Sequence, residues 1–422
     1  MNITRPLILA AFVALFVSGC SQPNDITRAK LEPQFGTAAS DNASAVAKHS
    51  TGVYVVGTTT GNLHAANKGL RDVFIRKYDN SGRLLWGRQF GTAANEHSVE
   101  VATDANNNAY VVGSTGGSLA RPLRGTSDIF VRKYTSSGKV AWTQQKGLDG
   151  DDAPGGVAVS GGFVYVVGAN QGLGTVVYRL NPSGSTYWKK RFSTGSSGDV
   201  TVDGSGNVYV AGSIPATCEE PEFDWWDCTD VQLNKYNASG NLVWIKRLSL
   251  ALDDRLEALT AYGSSVYLVE QTFDVPDDES YTHLVKLNTS GVIQWERNVG
   301  VADAYEEYIT GRSDNVSADS SGAYVASTAT TNFGDPNDPA GNRQAYEVTK
   351  YATNGSPVWQ LGSFYADDET GTDQRIFGSV SGVLARGGGE LYVAGTVGSA
   401  GRGTEAYLKR LNAATGTTVW QR

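Results

Sequence analysis

Cysteine and histidine are scarce in this chain, three and four among 422 residues. That leaves little for a zinc site built on those ligands. The four histidines follow no common spacing, with no His-x-His or His-Glu-x-x-His pattern, and no Gly-x-Ser-x-Gly elbow occurs. Charge is thin as well, at 18% of residues, against about 25% in an average globular domain. Acids outnumber bases 43 to 35, for a formal charge of −8 and a pI near 5.2. A general nucleic-acid binder needs a basic surface to displace phosphate counterions, so that class is excluded. Glycine-rich stretches such as Gly387–Gly389 precede strand signals rather than helices, which removes the phosphate cradle. No segment beyond the N-terminal stretch is apolar enough to cross a membrane. What is abundant is glycine, at 50 residues, with 20 tyrosines and 9 tryptophans. This is the composition of a turn-rich, all-β chain.

The N-terminus sets the compartment. Met1–Arg5 carries one cation, Pro6–Val17 is apolar, and Val17-Ser18-Gly19-Cys20 follows. This apolar run is shorter than the ~20 residues a spanning helix needs, and the pattern reads as a signal peptide. Its end resembles the bacterial lipoprotein cleavage box, with Val17 in place of the usual Leu. The resemblance implies a signal peptide over 1–19, a lipidated Cys20 opening a polar tether over 20–31, and a folded domain over 32–422. Ser21 after the cysteine implies an outer-membrane destination, if the host has one. The other reading is an ordinary secretory signal with a chance cysteine.

The body repeats itself seven times. The runs are Val53-Tyr-Val-Val-Gly57, Ala109-Tyr-Val-Val-Gly113, Val164-Tyr-Val-Val-Gly168, Val208-Tyr-Val-Ala-Gly212, Val266-Tyr-Leu-Val-Glu270, Ala323-Tyr-Val-Ala-Ser327 and Leu391-Tyr-Val-Ala-Gly395. Downstream of each lies a cation beside Tyr or Leu, then a glycine turn, then a tryptophan four residues on. The tryptophans are Trp86, Trp142, Trp188, Trp244, Trp295, Trp359 and Trp420. Each unit reads as four short strands, a to d, with strand b apolar throughout and therefore covered on both faces. Four-stranded units repeated at ~40–50 residues or more predict a β-propeller of seven blades. The ends of the repeat, Gln34-Phe35-Gly36 and Trp420-Gln421-Arg422, spell out one strand d between them, so the spacing predicts a ring closed by both termini. The Gly-to-Trp spacing is constant, whereas the b–c and d–a connections vary in length. These variable loops share one end of the disc, the expected binding face.

The run Asp128-Ile-Phe-Val-Arg-Lys-Tyr134…Gly138…Trp142, with Gln89-Phe-Gly-Thr92 and Asn108-Ala-Tyr-Val-Val-Gly113, resembles the bacterial SBBP-type propeller repeat over nearly all of 34–422. That resemblance implies secreted and envelope proteins, mostly without assigned roles. The last unit, Leu411-Asn-Ala-Ala-Thr-Gly-Thr-Thr-Val-Trp420, also resembles the tryptophan-docking motif of quinoprotein propellers. Those have eight blades where seven are counted here, and they include a lipoprotein scaffold of the outer-membrane protein assembly machinery.

A feature found in every blade is architecture; one found once is a candidate for function. By that rule the repeated Tyr, Trp and strand-c cations are structural, the cations snorkelling or binding a neighbouring carbonyl or carboxylate. Asp41, Glu96, Asp152 and Asp254 each precede the apolar position of strand a by five residues. They either cap the d–a turn through backbone N–H groups or form a partial carboxylate ring that takes Ca²⁺. The unit-four insert Cys218-Glu-Glu-Pro-Glu-Phe-Asp-Trp-Trp-Asp-Cys228 reads as a disulfide loop in an oxidising compartment. Its Phe223, Trp225 and Trp226 either plug the blade or form an exposed aromatic contact for a protein or a sugar ring. The expected function is binding or scaffolding in the cell envelope, with a protein partner first and glycan second. The competing class is an extracytoplasmic enzyme, a lyase or a quinoprotein-like oxidoreductase.

Overall fold

The computed structural model describes residues 34–422 except 148–149, 171–173, 194–197, 217–227, 250–252, 275–278, 304–311, 333–341, 364–375, 386 and 400–402. Every repeat unit forms one four-stranded antiparallel sheet with its strands in chain order a, b, c, d. The seven sheets run Asp41–Phe90, Glu96–Lys146, Asp152–Ser193, Asp199–Leu248, Asp253–Asp303, Arg312–Ser363 and Ile376–Gln421, and they are blades 1 to 7 of a β-propeller. Strands a touch one another in ring order, and strand a of blade 7 meets strand a of blade 1.

Burial follows the sequence pattern. Strand b of blade 1, Gly52–Thr59, is buried at all positions, whereas strand d, Leu84–Phe90, sits at the rim and is mostly solvated. Each apolar cluster therefore lies between two blades rather than within one. Tyr54, Val56 and Ile75 of blade 1 pack with Val101, Val111 and Phe130 of blade 2, and the pattern repeats around the ring to blades 7 and 1.

One contact recurs at the blade seams. The seven strand-b tyrosines pack on the tryptophan of their own blade with ring centroids 5.8 to 6.3 Å apart. That tryptophan then reaches the c–d turn of the next blade. The Trp86 indole N–H donates to the Ser136 carbonyl (3.1 Å), Trp244 to Thr289 (3.2 Å), Trp295 to Thr353 (2.9 Å) and Trp359 to Ala413 (3.2 Å). The strand-c lysine of the same blade donates to the same carbonyl, as Lys77 does at 3.1 Å and Lys235 at 2.7 Å. Its ammonium also lies over the tyrosine ring, 5.1 Å from the centroid for Lys77 and Tyr54. Two blades depart from this: in blade 2 Lys133 lies 3.6 Å from Asp104 while Trp142 alone bonds the Pro182 carbonyl (3.0 Å), and in blade 3 the Trp188 indole N–H has no hydrogen-bond partner among the described residues and the Arg179 guanidinium stacks on Phe163.

The turn glycines have two reasons to be glycine. Their φ angles are positive, between +74° and +86° in the seven c–d turns. A Cβ on Gly138 would also lie 2.8 Å from the Trp86 ring, and one on Gly416 3.0 Å from the Trp359 ring.

Both termini close the ring. The Phe35 N–H donates to the Ala406 carbonyl (2.9 Å) and the Ala406 N–H donates back (3.0 Å), while Arg422 and Leu408 exchange two 2.8 Å bonds further along the same strand. Arg422 Nε also donates to the Gly82 carbonyl at 2.9 Å, joining blade 7 to blade 1.

Gly138→Ala combines a left-handed backbone with a collision against Trp86 and is expected to lower stability by about 1–3 kcal/mol. Gly204→Ala, at a turn glycine whose Cβ position is open, is expected to stay within about 0.5 kcal/mol. Chemical denaturation of both variants checks the contrast.

Candidate functional site

The two ends of the disc differ. The end bearing the c–d turns repeats the same docking contact and varies little between blades. Next to it each strand d exposes an apolar residue, such as Leu84, Val140, Tyr187, Val243, Val358 or Val419. This rim recurs in all seven blades, so it is a property of the edge strand and not of one site.

At the opposite end the four acidic residues at the start of strand a are buried and separate. Asp41 accepts from the Thr37 N–H (2.5 Å) and hydroxyl (2.9 Å). Glu96 accepts from the Thr92 N–H (2.7 Å) and from the hydroxyls of Thr92 and Thr115 (2.6 and 2.7 Å). These two carboxylates fasten the d–a turn entering their blade. Asp152 accepts from the Asn170 side chain at 2.9 Å, and Asp254 is wholly buried. None of the four lines the central channel. Among the described residues no group of three or more His, Cys, Asp or Glu side chains could hold a metal ion.

Cys20, Cys218, Phe223, Trp225 and Trp226 lie outside the described residues. The base of the unit-four insert is described: Cys228 is buried, and the Thr229 N–H and hydroxyl both donate to Asp253, at 3.0 and 2.6 Å. The described root of the insert thus lies at the seam between blades 4 and 5.

The channel through the ring, about 1360 Å³, was not legible in the sequence as a site. Strand a carries a register shift at a common position in six blades, opposite Val56 in blade 1, Val112 in blade 2 and Val269 in blade 5. A β-bulge of this kind bends the strand and re-aims a side chain. Ser44, Val99, Glu257 and Ser381 occupy such positions and line the channel. The walls are mostly Ala and Val, with some Ser, Thr and Leu, three carboxyl groups, Glu100, Asp199 and Glu257, and no Lys, Arg or His among the described lining residues.

Glu100 of blade 2 and Asp199 of blade 4 meet in front of blade 3. The Cβ position of Gly156 is 2.1 Å from Asp199 Oδ1 and 3.0 Å from Glu100 Oε2, so the two oxygens are at most about 5 Å apart, close enough for like charges to raise each other's pKa. Glycine is the residue that leaves room for both. Glu100 accepts from the Val157 N–H (2.5 Å), and Asp199 from the N–H groups of Val200 (2.6 Å) and Leu259 (2.8 Å). Burial, then the Asp199 charge, push the Glu100 carboxyl well above the usual carboxylate range, against the pull of Val157. Burial pushes Asp199 up to about 6, against its two N–H donors. The pair can hold a proton between blades 2 and 4 or attract a cation into the channel. The four histidines, by contrast, do not converge: His64 accepts from Arg76, His97 lies by Arg71, His283 by Glu296 and His49 by Ser50.

Fold and site together define a closed seven-bladed propeller with inter-blade tryptophan docking and an acidic channel. The family model described as outer membrane protein assembly factor BamB matches residues 127–318 and again 173–422, and the chain belongs to that family. This is the resemblance carried by the docking-type motif of the last unit. Regulatory protein FlaEY of Caulobacter vibrioides is 30% identical over 114 residues, covering 25% of this chain and 12% of that protein. Two structures of a polysaccharide lyase, the PL25 ulvan lyase, superpose with TM-scores of 0.53, for the form bound to GlcA(1-4)Rha3S, and 0.52. Both are 10% identical to this chain and cover 92% of it and 97% of the lyase, a likeness of fold.

Because the Asp199 charge raises Glu100, Asp199→Asn is expected to move the Glu100 titration to lower pH, followed by carboxyl-carbon NMR. An unmoved Glu100 would show that the two groups do not interact. Asp199 binds its proton more tightly when folded, so its contribution to stability is full below its ordinary pKa and is lost as pH rises through about 6.

Proposed function

We propose that the protein is a non-catalytic envelope scaffold that binds a protein partner through the end of the disc bearing the b–c and d–a loops. In this reading it is a lipoprotein of the SBBP-like kind, held at the outer membrane through Cys20, where several acyl chains at ~0.8 kcal/mol per buried CH₂ give firm anchoring. The observation that carries the scaffold role is the family match across more than two-thirds of the chain. The division of the disc supports it: one end is committed to joining blades, and the other carries the irregular loops free to differ.

The unit-four insert is the proposed contact, with Phe223, Trp225 and Trp226 as aromatic anchors and a Cys218–Cys228 disulfide bracing them. Burial of Cys228 and the two hydrogen bonds from Thr229 to Asp253 give that loop a fixed root. Glycan is the second ligand class, since the same aromatic groups suit a sugar ring. The acidic surface favours a cationic partner.

A catalytic reading has one observation in its favour, the Glu100–Asp199 pair. Carboxyl groups at about this separation serve glycoside chemistry in other folds, and turnover lost in Glu100→Gln would carry that reading instead.

Replacing both Trp225 and Trp226 with Ala is expected to weaken capture of a crosslinked envelope partner at least about 30-fold, at ~2 kcal/mol or more for a buried aromatic anchor. The thermal midpoint should not change. Capture at wild-type strength would reject this contact.

A further inference from the structure

Blade 5 breaks the repeat at one buried position. Strand b carries glycine there in five blades (Gly57, Gly113, Gly168, Gly212 and Gly395), serine in blade 6 (Ser327) and glutamate in blade 5 (Glu270). In blades 1 and 2 the glycine makes room for an aromatic ring from strand c. A Cβ on Gly57 would lie 2.5 Å from Phe74, and one on Gly113 2.6 Å from Phe130, their partners across the ladder. In blade 5 the partner across the ladder is His283, and the glycine–ring pair has become a glutamate–histidine pair.

Glu270 is 0% exposed, and among the described residues neither carboxyl oxygen has a hydrogen-bond partner. The groups that face it are mostly other acids. Asp254, on strand a of the same blade, is 0% exposed, and Asp230, on strand c of blade 4, is 4% exposed. Glu296 lies on strand d. The nearby cations serve other carboxylates: Arg247 pairs with Asp230, and Arg255 with Asp253 at 2.9 Å. His283 Nδ1 is 3.0 Å from Glu296 but is not aligned for a hydrogen bond. An ionised carboxylate without donors, buried among three more acids, is strongly disfavoured; the neutral acid fits. Among the described residues no group of three or more His, Cys, Asp or Glu side chains could hold a metal ion here.

We propose that Glu270 is a proton-binding site at the seam of blades 4 and 5, held as the neutral acid in the folded propeller, whose deprotonation loosens the root of the unit-four insert. The root is within reach because Asp230 follows Thr229, which donates to the Asp253 carboxylate and the Asp254 carbonyl. Burial first, then the charges of Asp254, Glu296 and Asp230, push the Glu270 carboxyl up to about 8 from an ordinary 4.5. The folded state therefore keeps a proton that the unfolded chain has released. Stability from this group is full below its ordinary pKa, falls as pH rises towards about 8, and is level above that.

The test is denaturation of the full chain from about pH 5 to about pH 9, for wild type, Glu270→Gln and Glu270→Gly, the last restoring the residue of five other blades. Between about pH 5 and 8 the wild-type folded-to-unfolded ratio is expected to fall, relative to either variant, by up to about tenfold per pH unit. Parallel curves for wild type and variants would overturn the proposal. So would failure of both variants to fold at every pH, which would make the carboxyl itself structural. A wild-type stability gain from added Ca²⁺ that either variant abolishes would also overturn it, since the site would then hold a metal ion.

Discussion

A single backbone carbonyl in the c–d turn organises most seams of this molecule. It accepts the indole N–H of the preceding blade's tryptophan and, in blades 1, 4, 5 and 6, the ammonium of the strand-c lysine as well. Those two donors come from adjacent strands of one sheet, so the contact fixes the angle and height of one blade against the next. The tyrosine beneath holds both, through ring packing on one side and cation–π attraction on the other. Trp420 makes the same bond to Asn80, at 3.3 Å, so the series crosses the junction of blades 7 and 1, and among the described residues it is missing only at Trp188 of blade 3. A closed series removes the exposed sheet edges that an open array would present.

This dependence explains why the fold was readable from the sequence and the site was not. Tyr, cation, Gly and Trp recur in fixed order because each answers a geometric demand that every blade repeats. Gly138 and Gly416 must admit a tryptophan ring, and Phe35 must supply the strand pairing that Arg422 begins. Asp41 and Glu96 were legible as turn anchors for a similar reason, since each accepts from a threonine four residues earlier. Glu100 and Asp199 gave no such signal. They sit 99 residues apart in chain order, and only the curvature of the ring and the bulges of strand a bring them to the same glycine. Glu270 did leave a trace, as the one acidic ending among seven strand-b runs. Its meaning required the three-dimensional fact that no donor among the described residues reaches it.

Uniform seams also locate function. Beyond the departures at the docking contacts of blades 2 and 3, what differs from blade to blade is the channel lining, the loops of one end and the interior of blade 5. The channel is acidic and poor in large side chains, the root of the insert lies at the blade 4–5 seam, and the same seam contains the carboxyl that has no hydrogen-bond partner among the described residues. Two of the three blade-specific features thus meet at one place, where charge state and loop anchoring act on the same residues, Asp230 and Asp253. The arrangement is a rigid wheel with one sector whose charge can change.

The central claim is that the ring is closed, each blade holding the next and the two chain ends completing one strand. Native-state hydrogen exchange at the amides of Phe35, Ala406, Leu408 and Arg422 tests this most directly. Closure predicts that all four exchange only through global unfolding, with the same free energy as the strand-b core around Val55. Exchange of the Phe35 and Arg422 amides at the rate of an unprotected loop, while the core stays protected, would contradict it.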